Sequence, residues 1–137
     1  MAELTPLHDL ESRAGASFTQ EPGFQVPAHY GDALAEYRQA RDAAALFDQS
    51  HRGKVELTGA EAATFLHNLS TNDVAGLAVG GGCEGFLTNA KAKVVAPILV
   101  YRLLLHNGRE ALWLDVGPAL NEKVVKHLDH FLISEAV

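Results

Sequence analysis

The sequence predicts an α+β domain in which helices pack on one face of a largely antiparallel sheet. Three observations support this fold class: short alternating segments at 53–59 and 83–105, a hairpin signal at Asn107-Gly108, and two amphipathic helical patterns. The order strand, helix, strands, helix favours a sheet that is covered by helices on one side only.

Composition restricts the function classes. The chain has 137 residues, of which 47 % are hydrophobic and 20 % are charged, as in an ordinary globular domain. A net charge of −6 argues against nucleic acid as a partner, because phosphate binding depends on clustered Lys and Arg. No signal-peptide pattern opens the chain, and the longest apolar run, residues 94–105, is shorter than the roughly 20 residues that span a bilayer. We therefore expect no association with a membrane. Since Cys83 is the only cysteine, we also expect a cytoplasmic protein without an internal disulfide.

The first thirty residues hold three prolines and show little periodicity, so residues 1–30 are predicted to be an extended N-terminal arm. The α+β domain is assigned to residues 31–137. Asp32 is a predicted N-cap for an alanine-rich helix that extends to Leu46. The chain closes on an apolar, strand-like segment, HFLISEAV, and we therefore expect the fold to continue beyond it.

Residues 53–59 are predicted to form a strand whose end carries a capping box, with Thr58 as N-cap and Glu61 at the third helical position. The helix that follows is predicted to end near Leu69. Residues 83–89, 93–105 and 110–116 are predicted to be three further strands, and Trp113 is interpreted as core packing. Pro118 is placed in the first turn of a last helix. The apolar stripe of this last helix comprises Leu120, Val124, Val125, Leu128, Phe131 and Leu132.

Several residue groups allow a chemical interpretation beside a structural one. His127 and His130 are spaced like two metal ligands on a helix, but they lie on its polar face without a third ligand, so no metal site is predicted. Residues 80–82 are three glycines that could cradle a phosphate, although a flexible hairpin connection is favoured because no Gly-Lys-Ser/Thr follows. Cys83 could be a nucleophile, but a small buried hydrophobe is the favoured interpretation.

Ser50, His51 and Arg52 bring a hydroxyl, an imidazole and a guanidinium together at a helix-to-strand junction. Neighbouring side chains on an extended chain point in opposite directions, so these three cannot form a catalytic relay among themselves. Any role requires partners elsewhere in the chain.

Three segments together resemble a known superfamily. The stretch VPAHYGDALAEYRQARDAAALFDQSHRGKVELTGAEAATFLHNLSTNDV is similar to the N-terminal part of the glycine-cleavage T-protein, an aminomethyltransferase, in which an FD-S-H turn leads into a strand and a helix ends in TNDV. FLTNAKAKVVAPILVYR is closer to the YgfZ branch, and the third segment is ALWLDV followed by a helix. The resemblance covers nearly the whole chain.

The resemblance implies the N-terminal portion of a folate-binding fold, with tetrahydrofolate in a central cavity. It assigns folate contacts to four residues of this sequence: Arg52, Asn89, Leu99 and Tyr101. Because the rest of the cavity lies outside this chain, we expect a low-affinity, incomplete tetrahydrofolate site. The YgfZ-like motif KGC-x-x-GQE does not occur in the chain, and Cys83 does not match its cysteine.

The chain departs from the T-protein at one strand. There the T-protein carries consecutive aspartates, one of them catalytic, whereas this chain has Ala96 and Pro97. Neither side chain can move a proton during one-carbon transfer, so no catalytic residue is predicted and the chain is not expected to act as an enzyme. Ala92 also stands where glycine is usual, and it is strained if that position needs a positive φ.

Three functions follow from the resemblance. The first is a YgfZ-like folate-binding protein that supports the assembly or repair of iron–sulfur clusters, with iron–sulfur proteins as partners. The second is a tetrahydrofolate-dependent aminomethyltransferase, in which an acid from elsewhere replaces the lost aspartate. The third is a remnant that keeps the fold and binds no ligand.

Overall fold

A computed structural model describes residues 2–137, and the chain divides into two compact units, Met1–His51 and Arg52–Val137. The first unit contains β1 (Glu3–Leu4), α1 (His8–Arg13), β2 (Ser17–Glu21), β3 (Phe24–His29) and α2 (Ala33–Asp42). The second contains β4 (Gly53–Thr58), α3 (Ala62–Leu69), β5 (Gly82–Thr88), β6 (Val94–Leu104), β7 (Glu110–Val116) and α4 (Asn121–Phe131).

The predicted extended arm is wrong, because residues 3–29 fold into a three-stranded sheet with a short helix. β2 and β3 form an antiparallel hairpin, and β1 pairs in parallel with β3. Gly23 joins the hairpin with a φ of 88°, which glycine adopts without strain. Pro27 lies beside a register irregularity at Ser17 and Phe18, where a strand tolerates a missing N–H. The boundary between the units accordingly falls after His51 and not after residue 30.

The cap predicted for α2 is confirmed, while the length predicted for this helix is not. The Asp32 carboxylate accepts hydrogen bonds from the backbone N–H groups of Leu34 at 2.9 Å and Ala35 at 3.2 Å. The helix ends at Asp42, four residues before the predicted end at Leu46. None of the residues Ala33–Asp42 is buried, so this helix depends on local terms, the Asp32 cap and alanine propensity, which are weak without packing.

The second unit is built on a four-stranded antiparallel sheet with the order β4-β7-β6-β5. The strands predicted from the sequence are confirmed, with boundaries that differ by no more than about two residues. Differences of this size are usual for strand boundaries. Gly108 has a φ of 78° in the turn between β6 and β7, which the Asn-Gly signal predicted.

α3 and α4 pack on the same face of this sheet, as predicted. The core side chains of the strands are Leu57, Leu87, Ala96, Ile98, Val100, Leu112, Leu114 and Val116. Phe65 and Leu66 of α3 and Val124 and Leu128 of α4 join them. Burying each such Val, Leu or Phe side chain contributes roughly 1.5–3 kcal/mol, so this face supplies most of the hydrophobic stabilisation of the unit. We call it the covered face.

Two predicted helix starts are wrong. Thr58 is held in β4 opposite Ala111, so it cannot cap α3, which begins at Ala62. Instead, the Glu61 carboxylate accepts a hydrogen bond from the Ala136 N–H at 2.8 Å and fixes the C-terminal segment. Pro118 lies before α4 and not in its first turn, because Ala119 has a φ of 60° and a left-handed residue interrupts the helix.

None of the helices within residues 2–137 has the length and apolar character needed to cross a bilayer.

Candidate functional site

The face of the four-stranded sheet opposite α3 and α4 carries the side chains that can meet a ligand. Along β6, Ala96, Ile98 and Val100 point to the covered face, so Pro97 and the residues alternating with it point the other way. We call this second surface the open face. Its members are Lys54, Glu56, Glu84, Phe86, Pro97, Leu99, Tyr101, Trp113 and Asp115.

An aromatic pair lies in the middle of the open face. Tyr101 and Trp113 are register partners on β6 and β7, and the two residues are 42 % and 44 % exposed. The indole Nε1–H of Trp113 donates a hydrogen bond of 2.7 Å to the Glu56 carboxylate on β4. On the other side, a Cβ at Gly82 would stand 3.1 Å from Tyr101 Cδ1, so the glycine leaves room for the ring. Both rings are therefore positioned by their neighbours on the sheet.

A charged row lies next to the aromatic pair. Asp115 is opposite Leu99 and binds two cations: one carboxylate oxygen contacts Arg52 Nε and the other lies 3.2 Å from Lys54 Nζ. Only 15 % of the Asp115 side chain is exposed, so this group is largely shielded from screening by solvent. Both of its oxygens are engaged, so Asp115 is held in a structural ion network.

Glu84 completes this row on the edge strand β5, where it is the register partner of Leu99. Its side chain is exposed, and no residue within 2–137 forms a hydrogen bond or ion pair with its carboxylate. Since diagonal neighbours on adjacent strands lie within about 7–8 Å, Glu84 is within reach of a ligand that rests on Tyr101. It is an acceptor without a partner beside an aromatic surface.

The two positions that replace the T-protein aspartates lie on opposite faces. Ala96 is 1 % exposed and packs into the covered face opposite Leu87. Pro97 is exposed on the open face opposite Phe86. Of the two, only position 97 could present a side chain to a ligand on the open face, and proline offers it no acid, donor or acceptor.

Three of the four predicted folate contacts lie together. Leu99 and Tyr101 are neighbours on the open face, and Arg52 reaches the same surface through Asp115. Asn89 lies in the turn between β5 and β6, where its side-chain oxygen accepts hydrogen bonds from the N–H groups of Lys91 and Lys93. The structure does not bring it to the other three. All four roles remain predictions.

The interpretation of Trp113 as core packing is wrong. Leu112 and Leu114 point to the covered face, so the residue between them must point to the open face. The same alternation places Asp115 there, and the period-two pattern of ALWLDV contained this signal. Glu56 and Glu84 could not be recognised, because their roles depend on strand register and not on a motif.

The remaining candidates have structural roles. Cys83 packs against the core, and burial, together with the charge of Asp73, raises the pKa of its thiol and so disfavours the reactive thiolate. The backbone N–H of Gly80 donates to the Arg102 carbonyl at 2.7 Å, which extends the sheet as expected for a hairpin connection. Residues 2–137 contain no group of three or more His, Cys, Asp or Glu side chains that could hold a metal.

Ser50, His51 and Arg52 do not form a relay, as predicted. The Ser50 hydroxyl donates to the Asp48 carboxylate, which also accepts from the Ser50 backbone N–H at 2.8 Å. Burial acts to raise the pKa of Asp48, but these hydrogen bonds and the nearby His51 outweigh it and leave that pKa below its usual value. Arg52 turns to Asp115 instead.

Comparisons with known proteins agree with this fold. The model of the GCVT N-terminal domain family matches residues 7–133. The solved structure of the glycine cleavage system aminomethyltransferase T from Bartonella henselae superposes with a TM-score of 0.82 at 24 % identity, over 99 % of this chain and 37 % of that one. The chain is thus an α+β protein whose architecture is that of the matching 37 % of the Bartonella henselae structure. It belongs to the GCVT N-terminal domain family.

Curated relatives bear the name aminomethyltransferase. The one from Symbiobacterium thermophilum is 37 % identical over 119 residues, which cover 87 % of this chain and 31 % of the relative. The one from Bacillus cytotoxicus is 32 % identical over 131 residues, covering 96 % of this chain and 35 % of the relative. The chain spans about a third of the length of these relatives. The predicted superfamily is confirmed, whereas the closer likeness to the YgfZ branch stays a prediction.

Proposed function

We propose that this chain forms one wall of a tetrahydrofolate-binding site and that it binds folate without transferring a carbon unit. The observation that carries this proposal is the distribution of side chains along β6. Its open face presents Pro97, Leu99 and Tyr101, which offer apolar surface, a flat ring and a hydroxyl. Nothing on that strand is an acid, so it supplies contact surface and no proton-transfer group.

Asp115 does not restore the missing chemistry. It is the only acid of β7 on the open face, and it lies opposite Leu99. Its two oxygens are engaged by Arg52 and Lys54, so accepting a proton or hydrogen bond from a folate amine would require breaking that network. This supports a binding role over an aminomethyltransferase role for the chain.

The membership in the family supports folate as the ligand class, and the wider role proposed is that of a YgfZ-like accessory protein for iron–sulfur cluster assembly or repair. The relatives' names favour a second candidate, an aminomethyltransferase. Deleting the encoding gene distinguishes the two. Lower activity of an iron–sulfur enzyme with normal glycine cleavage supports the accessory role, and the reverse result supports the transferase.

Binding is tested by titrating the chain with a reduced folate and comparing Tyr101→Ala with a matched control, Tyr37→Ala. Tyr37 is an exposed tyrosine on α2, in the other unit. We expect Tyr101→Ala to weaken binding about 5-fold or more, the loss of one stacking contact, and Tyr37→Ala to leave it unchanged. Equal affinities for both variants would show that Tyr101 does not contact the folate. The absence of saturable binding by the parent chain would overturn the proposal.

Transfer is tested by a glycine-cleavage assay with a lipoyl-protein donor. We expect no turnover above background, and no rescue by aspartate at position 96 alone. Turnover by the unmodified chain would contradict a binding-only role.

A further inference from the structure

A cavity of about 500 Å³ lies at the end of the second unit where β4 ends and β7 begins. Its walls come from the end of β4, the start of α3, Arg102 on β6 and the first residues of β7. This volume is within the range of small-molecule sites. None of its lining residues is a member of the open face or one of the predicted folate contacts, so the function proposed above does not use this cavity.

Part of the cavity wall is apolar and held in place by packing. Leu57, Ala62, Ala111 and Leu112 line it, and each of them is at most 5 % exposed. Leu57, Ala62 and Leu112 belong to the core of the unit, which is close-packed and resists rearrangement. This wall offers a fixed surface for the apolar part of a ligand, and it offers no hydrogen bond.

Two polar side chains of the wall have unused donors. Neither the Arg109 guanidinium nor the Thr58 hydroxyl forms a hydrogen bond or ion pair with any of residues 2–137. The backbone of Arg109 is nevertheless fixed, because its N–H donates to Asn107 Oδ1 at 3.0 Å and its carbonyl accepts from the Leu105 N–H at 2.8 Å. A few polar groups beside an apolar wall are the usual composition of a ligand site.

The cavity also carries one uncompensated positive charge. Arg102 donates to one oxygen of Glu110 from Nε at 3.0 Å and from Nη2 at 2.7 Å, and its Nη1 donates to the Leu77 carbonyl at 2.9 Å. The charges of Arg102 and Glu110 therefore cancel. Arg109 is the remaining charged residue of the lining, in a chain whose net charge is −6.

We propose that this cavity binds a small organic monocarboxylate. The carboxylate pairs with Arg109 and accepts a hydrogen bond from the Thr58 hydroxyl, and the apolar body of the ligand rests on Leu57 and Leu112. A guanidinium matches a carboxylate because its parallel N–H donors meet both oxygens. A single negative charge balances Arg109, whereas a phosphate carries more than one negative charge at neutral pH and would be repelled by Glu110.

Four small probes test this class of ligand: benzoate, its neutral amide benzamide, its cationic analogue benzylamine, and inorganic phosphate. Each is titrated into the chain while NMR spectra record the methyl groups of Leu57 and Leu112 and the Nε–H of Arg109. We expect saturable shifts with benzoate at about millimolar concentration, because a partly exposed ion pair and a small apolar contact give modest affinity. Benzamide, benzylamine and phosphate should bind about 10-fold or more weakly than benzoate.

Two variants with matched controls test the charge and the space separately. Arg109→Gln should weaken benzoate binding about 5-fold or more, and Arg38→Gln, at an exposed arginine on α2, should have no effect. Ala60→Leu puts a larger side chain at the cavity and keeps every charge, so it should also weaken binding about 5-fold or more. Ala90→Leu, at an exposed alanine in the turn between β5 and β6, should have no effect.

Each part of the proposal can fail separately. Equal affinities for benzoate and benzamide, or for Arg109→Gln and the parent chain, would overturn the pairing of a carboxylate with Arg109. Phosphate that binds as well as benzoate would overturn the apolar contact. The absence of saturable shifts with benzoate would overturn the proposal as a whole. None of these outcomes bears on folate binding, which is followed on the open face.

Discussion

The two faces of the four-stranded sheet are made by the same strands, yet they have opposite chemistry. The core of the covered face is apolar along β6 and β7, with Leu114 and Val116 fully buried. The open face alternates with it residue by residue and carries three aromatic rings, three acids and two bases. One face is fixed by packing against α3 and α4, and the other is free to change with function. Positions 96 and 97 show the difference most clearly, because they are adjacent and have opposite surroundings.

The largest effect is expected from placing an acid on each face in turn. Ala96→Asp puts a carboxyl into the covered face, where burial can raise its pKa by 3–5 units, and each unit costs about 1.4 kcal/mol at neutral pH. We expect a loss of about 4 kcal/mol or more in the free energy of unfolding, measured by urea denaturation. Because the folded-state pKa is raised, the loss should shrink as the pH falls towards the usual aspartate range.

Pro97→Asp is the matched control, since the new carboxylate points to solvent on the open face. We expect its free energy of unfolding to stay within about 1 kcal/mol of the parent. Similar losses for both variants would show that the two faces are not distinct.

Removing a large side chain from each face should give a smaller difference. Leu114→Ala leaves a cavity in the core, and we expect it to cost about 3 kcal/mol. Trp113→Ala removes a half-exposed ring and one hydrogen bond, so it should cost only about 1.5 kcal/mol although the side chain is larger. A greater loss at Trp113 than at Leu114, again in urea, would place the tryptophan among the stabilising contacts.

The smallest effect concerns the turn that joins β5 and β6. Ala92 has a φ of 55°, so the sequence-based expectation of strain there is confirmed. Ala92→Gly should raise the free energy of unfolding by about 1 kcal/mol. Ala90→Gly, in the same turn but without a left-handed backbone, should not stabilise the chain. Equal effects at both positions would indicate that the turn is not strained.

The sequence predicted the second unit well, because each of its strands carries either an alternating pattern or a turn residue that the backbone requires. Asn107-Gly108 and the alternation of 110–116 depend only on local chemistry. The first unit was predicted poorly, since β1 and β3 pair across some twenty intervening residues and the three prolines of residues 1–30 resemble linker composition. Local propensity also overestimated α2, which has no buried face.

The candidate site was predictable only in part. Leu99 and Tyr101 could be placed on one face by their spacing of two. The contacts of Trp113 with Glu56 and of Arg52 with Asp115 join residues more than fifty positions apart, so they depend on strand order, which a single sequence does not specify. Asn89 was assigned to the site by resemblance, and the structure gives it a role in its own turn.

The measurement that tests the central claim most directly compares methyl groups on the two faces during a folate titration. Leu99 lies on the open face and Leu114 is fully buried on the covered face. In methyl NMR spectra with increasing reduced folate, we predict saturable shifts for Leu99 with an affinity weaker than millimolar, and no shift for Leu114. Shifts confined to Leu114 or to the first unit, saturation at micromolar folate, or no shift at Leu99 would contradict the account.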